Sequence, residues 1–301
     1  MTGTPAPCTT AAHRPGPLCR RCCGIALDLG SARTRAWITG SGVVVDVPTV
    51  TCTGTGAGGE AGARFGTATG TATGTGTGSA TGTGALYPVR RGAIVDTPGC
   101  ARMLLRLLAD RLPRLGHPLI VVTAPALGGL AYRTQARIAV DALRPRGVLT
   151  VPSARAVAVA AGADMSRPLL VADIGAHLTE VVLLHEGAVT DARRTALGTG
   201  DLDGTTPPER LSEAVALMLT AMLRQDRTSL TADALARGVL LAGGGALRPE
   251  ITGRLAGLLH TPLSVVPAPH TAAVRGAARL LQVAHTHPSA SGGLPPAADL
   301  H

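Results

Sequence analysis

Apolar residues occur along this chain in short runs that glycine, proline and polar residues separate. Short runs bounded by turn residues predict buried strands, whereas stretches with apolar positions three or four residues apart predict helices. The predicted strands lie at 24–30, 34–39, 43–47, 118–123, 147–151, 168–175, 179–185, 188–196, 238–243 and 263–266. The first predicted helix follows an Asp96 cap, and the others lie at 130–143, 153–163, 207–224, 249–259 and 270–284.

Both halves of the chain follow the same order: three strands, then helix, strand, helix, strand and helix. The three opening strands predict an antiparallel meander, and the later strands, which helices connect, predict parallel pairing. This internal repeat predicts two α/β lobes, at 24–166 and 167–284. Three segments are expected outside the packed lobes: a disordered leader at 1–23, a flexible Gly/Thr-rich loop at 53–85 and a disordered tail at 285–301.

The composition narrows the chemistry that is available to these lobes. Of the 301 residues, 45% are hydrophobic and 1% aromatic, and the formal charge is +9. The sequence contains no lysine, which excludes a P-loop and a Schiff-base mechanism. Because the arginines are scattered and aromatic residues are rare, the sequence predicts no nucleic-acid interface.

The cysteines and the hydropathy of the chain indicate the cellular compartment in which the protein works. Four of the six cysteines lie in the first 23 residues, but without a second CxxC they predict neither a zinc site nor a disulfide framework. That leader also lacks the apolar core of a signal peptide. No apolar run approaches the length of about 18 residues that a transmembrane helix needs. We therefore expect a cytoplasmic protein.

Each predicted lobe begins with the same Asp-apolar-Gly turn at the end of its first strand. The first turn contains Asp28 and Gly30, and the second contains Asp173 and Gly175. Glycine lets a backbone approach an anion closely, and an aspartate beside such a turn can hold Mg²⁺ through water. Two such turns at equivalent places in a repeat predict a phosphate clamp between the lobes. A third glycine segment, at 243–245, fits either a nucleotide contact or a plain strand-to-helix turn.

These segments resemble the actin/Hsp70/sugar-kinase ATPase superfamily and, within it, the bacterial actin MreB/Mbl family. The resemblance rests on 25–37, 90–105, 169–184, 196–203 and 238–251. These look like the family's phosphate-1, connecting, phosphate-2, glycine-aspartate and adenosine segments. The resemblance implies an α/β fold of two duplicated ribonuclease H-like, actin-like ATPase domains, with ATP and Mg²⁺ in the cleft between them.

The resemblance also implies roles for individual residues. It places the metal at Asp28 and Asp173, and catalysis at Asp173, Thr134 and Gln135. The nucleotide contacts that it implies are Asp28, Gly30, Ser31, Ala32, Thr34, Asp173, Gly175, Ala176, His177, Gly200, Asp201, Gly243, Gly244, Gly245 and Ala246.

The chain departs from the family pattern in several places. Residues 176–178 read Ala-His-Leu where the family has small residues, and their side chains would crowd a terminal phosphate. Thr134 stands where the family places the glutamate or glutamine that orients the attacking water, so we expect at most a weak ATPase. Only residues 204–206 separate Asp203 from the next helix, where the family inserts an outer subdomain. The other outer subdomain corresponds to residues 52–85, which are mostly Gly, Thr and Ala.

Three functions are compatible with this sequence. The first is a protein of cell-shape or cell-wall morphogenesis that binds ATP and assembles with itself or with a full-length MreB-type protein. The wall elongation or sporulation machinery and the inner face of the membrane are its further expected partners. The second is a pseudo-ATPase scaffold or regulator with little or no hydrolysis. The third is a small-molecule kinase of the same superfamily, with Asp201 or Asp203 as the general base.

Overall fold

A computed structural model of the chain describes residues 23–52, 85–112 and 117–286. The strands are β1 (Gly24–Leu29), β2 (Arg33–Ile38), β3 (Val44–Pro48), β4 (Thr51–Cys52), β5 (Ala85–Leu86), β6 (Val89–Arg90), β7 (Ala93–Ile94), β8 (Leu119–Ala124), β9 (Gly147–Pro152), β10 (Leu169–Ile174), β11 (Thr179–His185), β12 (Ala188–Thr195), β13 (Val239–Ala242) and β14 (Leu263–Val265). The helices are α1 (Thr97–Leu108), α2 (Gly129–Asp141), α3 (Ser153–Ala161), α4 (Pro208–Gln225), α5 (Leu230–Arg237), α6 (Pro249–Leu259) and α7 (Ala272–Thr286).

Two five-stranded sheets carry the fold, and they share one topology. The strand order is β3-β2-β1-β8-β9 in the first sheet and β12-β11-β10-β13-β14 in the second. In each sheet the first three strands are antiparallel, and the last two are added in parallel. The duplicated α/β fold that the repeat predicts is therefore confirmed, strand by strand.

The register places the two motif aspartates at equivalent positions. Asp28 pairs with Arg35 on β2, one position before the last pair of that hairpin, and Asp173 pairs with Glu180 on β11 at the corresponding position. Both aspartates therefore lie at the carboxyl end of a central strand, which is the edge of an α/β sheet where ligands bind.

One face of each sheet is covered by helices of its own half. The first sheet packs on α1 and α2, around a core that includes Leu27, Leu104 and Ile120. The second packs on α4, α5 and α6, around a core that includes Leu183 and Leu219. Asp96 caps α1 as predicted, because its carboxylate accepts a hydrogen bond from the backbone N–H of Gly99 at 2.8 Å.

The other two faces are covered by exchanged helices. The apolar side of α3, including Val157, packs on the second sheet against β10 and β11. The apolar side of α7, including Val274 and Leu281, packs on the first sheet against β1 and β8. The two helices also cross each other at Gly276, where a β-carbon would overlap the carbonyl oxygen of Ala156. Each half of the chain therefore completes the core of the other.

The structure differs from the predicted elements in a few places. Helix α5 was not predicted, since the sequence between α4 and β13 gives only a short apolar pattern. The short strands β4 to β7 were not predicted either, and α7 continues to Thr286, beyond the predicted end at 284. Most of the predicted leader, Gly/Thr-rich loop and tail lies outside the described residues, although Cys23, assigned to the leader, is buried against the first lobe.

Candidate functional site

The β1–β2 and β10–β11 turns face each other across a cavity of about 280 Å³. In each turn the glycine N–H donates back across the turn, from Gly30 to the carbonyl of Arg33 at 3.1 Å and from Gly175 to the carbonyl of Leu178 at 2.9 Å. A β-carbon at either glycine would lie within 2.8 Å of that carbonyl oxygen. Glycine is thus required at both positions because the backbone approaches itself so closely.

Asp28 and Asp173 both line the cavity. Asp28 accepts a hydrogen bond from Thr123 Oγ1 at 2.8 Å, and Arg35 lies 3.6 Å from its other oxygen. Burial raises the pKa of Asp173 to about 7, and repulsion from Asp28 and Glu180 adds to this shift while Arg35 opposes it. A buried carboxylate whose pKa is raised by a second carboxylate in the same cavity is the electrostatic counterpart of a cation site.

Glu180 joins this pair from β11, at the back of the cavity. It is only 3% exposed and accepts the backbone N–H of Ala126 at 3.2 Å, which lies in the loop between β8 and α2 of the other lobe. Burial raises its pKa, and the hydrogen bonds that it accepts and the charge of Arg194 only partly offset this effect. The β11 glutamate therefore ties the second sheet to the first lobe.

Tyr132 and His270 complete the cavity wall with polar atoms. Tyr132 is buried, and its hydroxyl donates to the carbonyl oxygen of Thr123 at 3.3 Å. Its pKa is raised, first by burial and then by the negative charge of Asp28. His270 Nδ1 is buried and has no hydrogen-bond partner within the described part of the chain.

Three further contacts join the lobes at the rim of the cavity. Ser31 Oγ lies 3.1 Å from His177 Nδ1, and Arg91 Nη2 lies 2.8 Å from an oxygen of Asp201. A second nitrogen of Arg91 donates to the carbonyl oxygen of Ala196. The chain between β12 and α4 is thus attached to the β6–β7 turn of the first lobe.

The triple-glycine segment after β13 packs on the end of β10. A β-carbon at Gly243, whose φ is +82°, would lie 2.6 Å from Asp173 Oδ1, and one at Gly245 would overlap the side chain of Ile174. Gly243 and Gly244 line the cavity, whereas Ala246 is buried beneath it. The segment therefore gives a backbone surface beside the Asp173 carboxylate, in the place where the sequence predicts nucleotide contacts.

The structure brings most of the predicted site residues together. Those that line the cavity are Asp28, Gly30, Ser31, Ala32, Asp173, Gly175, Ala176, Gly243 and Gly244. His177 contacts Ser31, and Gly200 lies against the His177 ring. Thr34 is instead buried beneath the first turn, where its hydroxyl lies 2.9 Å from Thr49 Oγ1. Asp201 does not line the cavity either, and it pairs with Arg91.

The predicted catalytic pair on α2 does not reach the cavity. Thr134 is exposed and Gln135 half-buried, and neither lines the cavity. The reason is helical periodicity: α2 turns Tyr132 and Ala136 inward, so the residues between them face away from the sheet. The placement gives no support to a water-positioning role for either side chain.

Several cavity residues were not among the predicted site residues. Thr123, Tyr132 and Glu180 come from three different elements and meet only in the folded chain. Of these three, Glu180 could have been found from the sequence. An acidic residue inside the apolar run of β11 costs free energy to bury unless it has a function or a partner. Within the described residues, no group of three or more His, Cys, Asp or Glu side chains is arranged to hold a metal directly.

Two duplicated ribonuclease H-like lobes, with opposed Asp-x-Gly turns at a cavity between them, define the actin-like ATPase class of folds. Residues 22–206, more than half of the chain, match the family described as MreB/Mbl protein. The chain belongs to this family, as the sequence resemblance indicated. A search of curated proteins found no significant match.

Solved structures give the same fold at low sequence identity. MreB5 of Spiroplasma citri, bound to ADP, is 14% identical with a TM-score of 0.68 over 87% of this chain and 97% of its own. MamK in a double helical filament is 13% identical with a TM-score of 0.65, over 86% of this chain and 98% of its own. The ethanolamine utilization protein EutJ from Carboxydothermus hydrogenoformans is 17% identical with a TM-score of 0.55, over 88% of this chain and 91% of its own.

In the part of this chain that the structure describes, no helix is long and apolar enough to cross a membrane.

Proposed function

We propose that this MreB/Mbl family member binds a nucleotide with Mg²⁺ in the cavity between its lobes. The observation that carries the proposal is the pair of facing turns, which place Asp28 and Asp173 at equivalent register on opposite sides of one cavity. Gly30, Gly175, Gly243 and Gly244 line this cavity, and glycine lets a backbone approach phosphate groups closely. The structure of MreB5 bound to ADP supports the same use of the fold.

The residues present fit a hydrated Mg²⁺ ion. Mg²⁺ keeps several waters and is held by one or two carboxylates together with phosphate oxygens, a set that Asp28 and Asp173 provide without a third ligand. The cation would supply positive charge that lets both aspartates ionise together. Thr123 and Arg35 hold Asp28 in place, and Glu180 positions the β11 strand behind Asp173.

Calorimetric titration of the protein with ADP and Mg²⁺ tests this proposal. Asp28→Asn and Asp173→Asn each remove one charge at the cavity, so we expect either change to weaken Mg²⁺-dependent binding by tenfold or more, as expected for a hydrogen-bonded or ion-paired charge. Asp191→Asn is the matched control, because Asp191 is a half-buried aspartate on β12 that pairs with Arg193 away from the cavity. Equal affinity in all four proteins would contradict the proposed site.

We further propose that the protein acts as a filament-forming or filament-associated protein of cell shape or wall morphogenesis in the cytoplasm. Family membership supports this role, as does the likeness to MamK, which was solved in a double helical filament. Its proposed partners are itself or a full-length MreB-type protein, then the wall elongation or sporulation machinery and the inner face of the membrane. Sedimentation with and without nucleotide, alone and with an MreB protein, tests assembly; a monomer in every mixture would contradict it.

The placement of Thr134 and Gln135 favours a second candidate, a pseudo-ATPase that binds nucleotide without hydrolysing it. Neither side chain lines the cavity to orient an attacking water. Phosphate release under saturating ATP distinguishes the two, because the pseudo-ATPase shows no turnover while it still binds nucleotide in the calorimeter.

A small-molecule kinase is less well supported by the geometry. Asp201 is engaged by Arg91. Asp203 accepts hydrogen bonds from the hydroxyl of Thr205 and from the backbone N–H groups of Thr205 and Thr206. These hydrogen bonds lower the pKa of Asp203, so it is a poor proton acceptor. Neither carboxylate lines the cavity.

A further inference from the structure

Ser31 and His177 contact each other directly across the cleft, at the tips of the two turns. Ser31 Oγ lies 3.1 Å from His177 Nδ1, and the two residues belong to opposite lobes. The imidazole is also confined on its other side, since a β-carbon on Gly200 would lie 2.8 Å from Nε2. The ring therefore fills the space between the first turn and the segment that follows β12.

This contact, the Ser31–His177 bridge, is too short to include a phosphate group. Two donors that share one phosphate oxygen each lie about 2.9 Å from it, and so stand roughly 4.5 Å apart or more. A phosphate placed between the turns therefore requires the bridge to break and its two ends to separate. Phosphate groups deeper in the cavity, beside Asp28 and the 243–244 backbone, would not meet the ring, because His177 is not among the residues that line the cavity.

We infer that the Ser31–His177 bridge occupies the place of a terminal phosphate, so that the cleft selects a nucleoside diphosphate over a triphosphate. The inference rests on the proposed nucleotide-binding function and makes His177 its specificity-determining residue. The selectivity depends on the imidazole ring of His177 in the second turn, because a residue without this ring would leave the space between the turns open.

The neighbouring contacts oppose a simple widening of the cleft. Arg91 holds Asp201 on one side of the bridge, and Glu180 accepts the Ala126 N–H on the other. Leu178 packs on Gly92 of the first lobe, where a β-carbon would lie 2.6 Å from Leu178 Cδ2. Opening the turns around a terminal phosphate would strain these links as well as break the bridge.

Calorimetric titration of the full chain with Mg²⁺·ADP and with Mg²⁺·AMPPNP tests the inference. We expect wild type to bind ADP about tenfold more tightly or better, since one net hydrogen bond corresponds to about one order of magnitude in affinity. In His177→Ala the ring is gone while the turn backbone is kept, so the preference should fall to within about threefold, through tighter AMPPNP binding. His177→Gly is the second variant, in case the first folds poorly.

His185→Ala is the matched control, because His185 ends β11, the strand that follows the turn carrying His177, and does not line the cavity. It should keep the wild-type preference. Equal affinity of wild type for both nucleotides, or an unchanged preference in both His177 variants, would overturn the inference while leaving nucleotide binding intact. Binding of neither nucleotide by any of these proteins would instead overturn the proposed function, and the inference with it.

Discussion

Asp173 holds a proton near neutral pH because burial and the nearby Asp28 and Glu180 carboxylates disfavour its charge. Its pKa in the folded chain is about 7, against 3.8 for an unperturbed aspartate. Between these two pH values the folded state binds more protons than the unfolded state, so stability falls as pH rises. Below this window both states are protonated, and above it the loss is complete.

Asp173→Asn should therefore stabilise the protein in the absence of nucleotide and Mg²⁺. We expect a gain on the order of a few kcal/mol at pH 8 and almost none at pH 4, because the amide carries no charge to be penalised. Urea unfolding across this pH range measures it. Asp191→Asn is the control, because that carboxylate pairs with Arg193 outside the cavity. A loss of stability in Asp173→Asn at pH 8 would contradict the prediction that the surroundings of Asp173 disfavour its charged form.

The sequence identified the residues of this site that belong to local motifs. Asp28, Gly30, Asp173 and Gly175 could be predicted because each turn needs its glycine within two residues of the aspartate. Thr123 could not, since its role depends on the parallel pairing of β8 with β1, which brings it to Asp28 across 95 positions of the chain. Roles that arise from contact between elements leave little trace in the local pattern.

The crossing of α3 and α7 gives a prediction at the scale of helices. A β-carbon at Gly276 would overlap the carbonyl oxygen of Ala156, so Gly276→Ala must push the two helices apart. Although alanine is favoured over glycine in a helix by about 1 kcal/mol, overpacking of this kind costs about 1–3 kcal/mol or more. We expect a net loss of unfolding free energy in urea denaturation.

Gly253→Ala on α6 is the matched substitution. Gly253 also lies inside a helix, but a β-carbon there meets nothing within 4 Å. Only the helix propensity then changes, so the free energy of unfolding of this variant should rise by up to about 1 kcal/mol. Opposite signs for the two variants would locate the effect at the crossing, whereas two gains would show that α3 and α7 can separate without loss.

Element order could be predicted from the sequence, but element placement could not. The apolar faces of α3 and α7 are visible in their spacing, yet either sheet offers an apolar surface to receive them. Helix α5 escaped prediction because it has eight residues, and its first turn depends on Asp226, which accepts the Thr231 N–H at 2.6 Å. Short helices of this kind form through caps and tertiary packing more than through periodicity.

At the scale of the whole molecule, the exchanged helices bear on the predicted lobes at 24–166 and 167–284. If each lobe were an independent domain, its core would be complete within those limits. Instead, the first sheet needs α7 to cover Ala26 and Val121, and the second needs α3 to cover Val171. A chain cut at 166 would expose one apolar sheet face in each fragment, and each would be prone to aggregation.

We therefore expect the full chain to unfold in a single cooperative transition, and each fragment alone to show none. Differential scanning calorimetry of the full chain and of fragments 24–166 and 167–284 measures this. Co-expression of the two fragments is the positive control, because α3 and α7 can then reach their partner sheets and should restore a folded complex. Two separate transitions in the full chain, or a cooperative transition in either isolated fragment, would contradict it. In that case each lobe would have a sufficient core of its own, and the helix exchange would add only an interface between two stable domains.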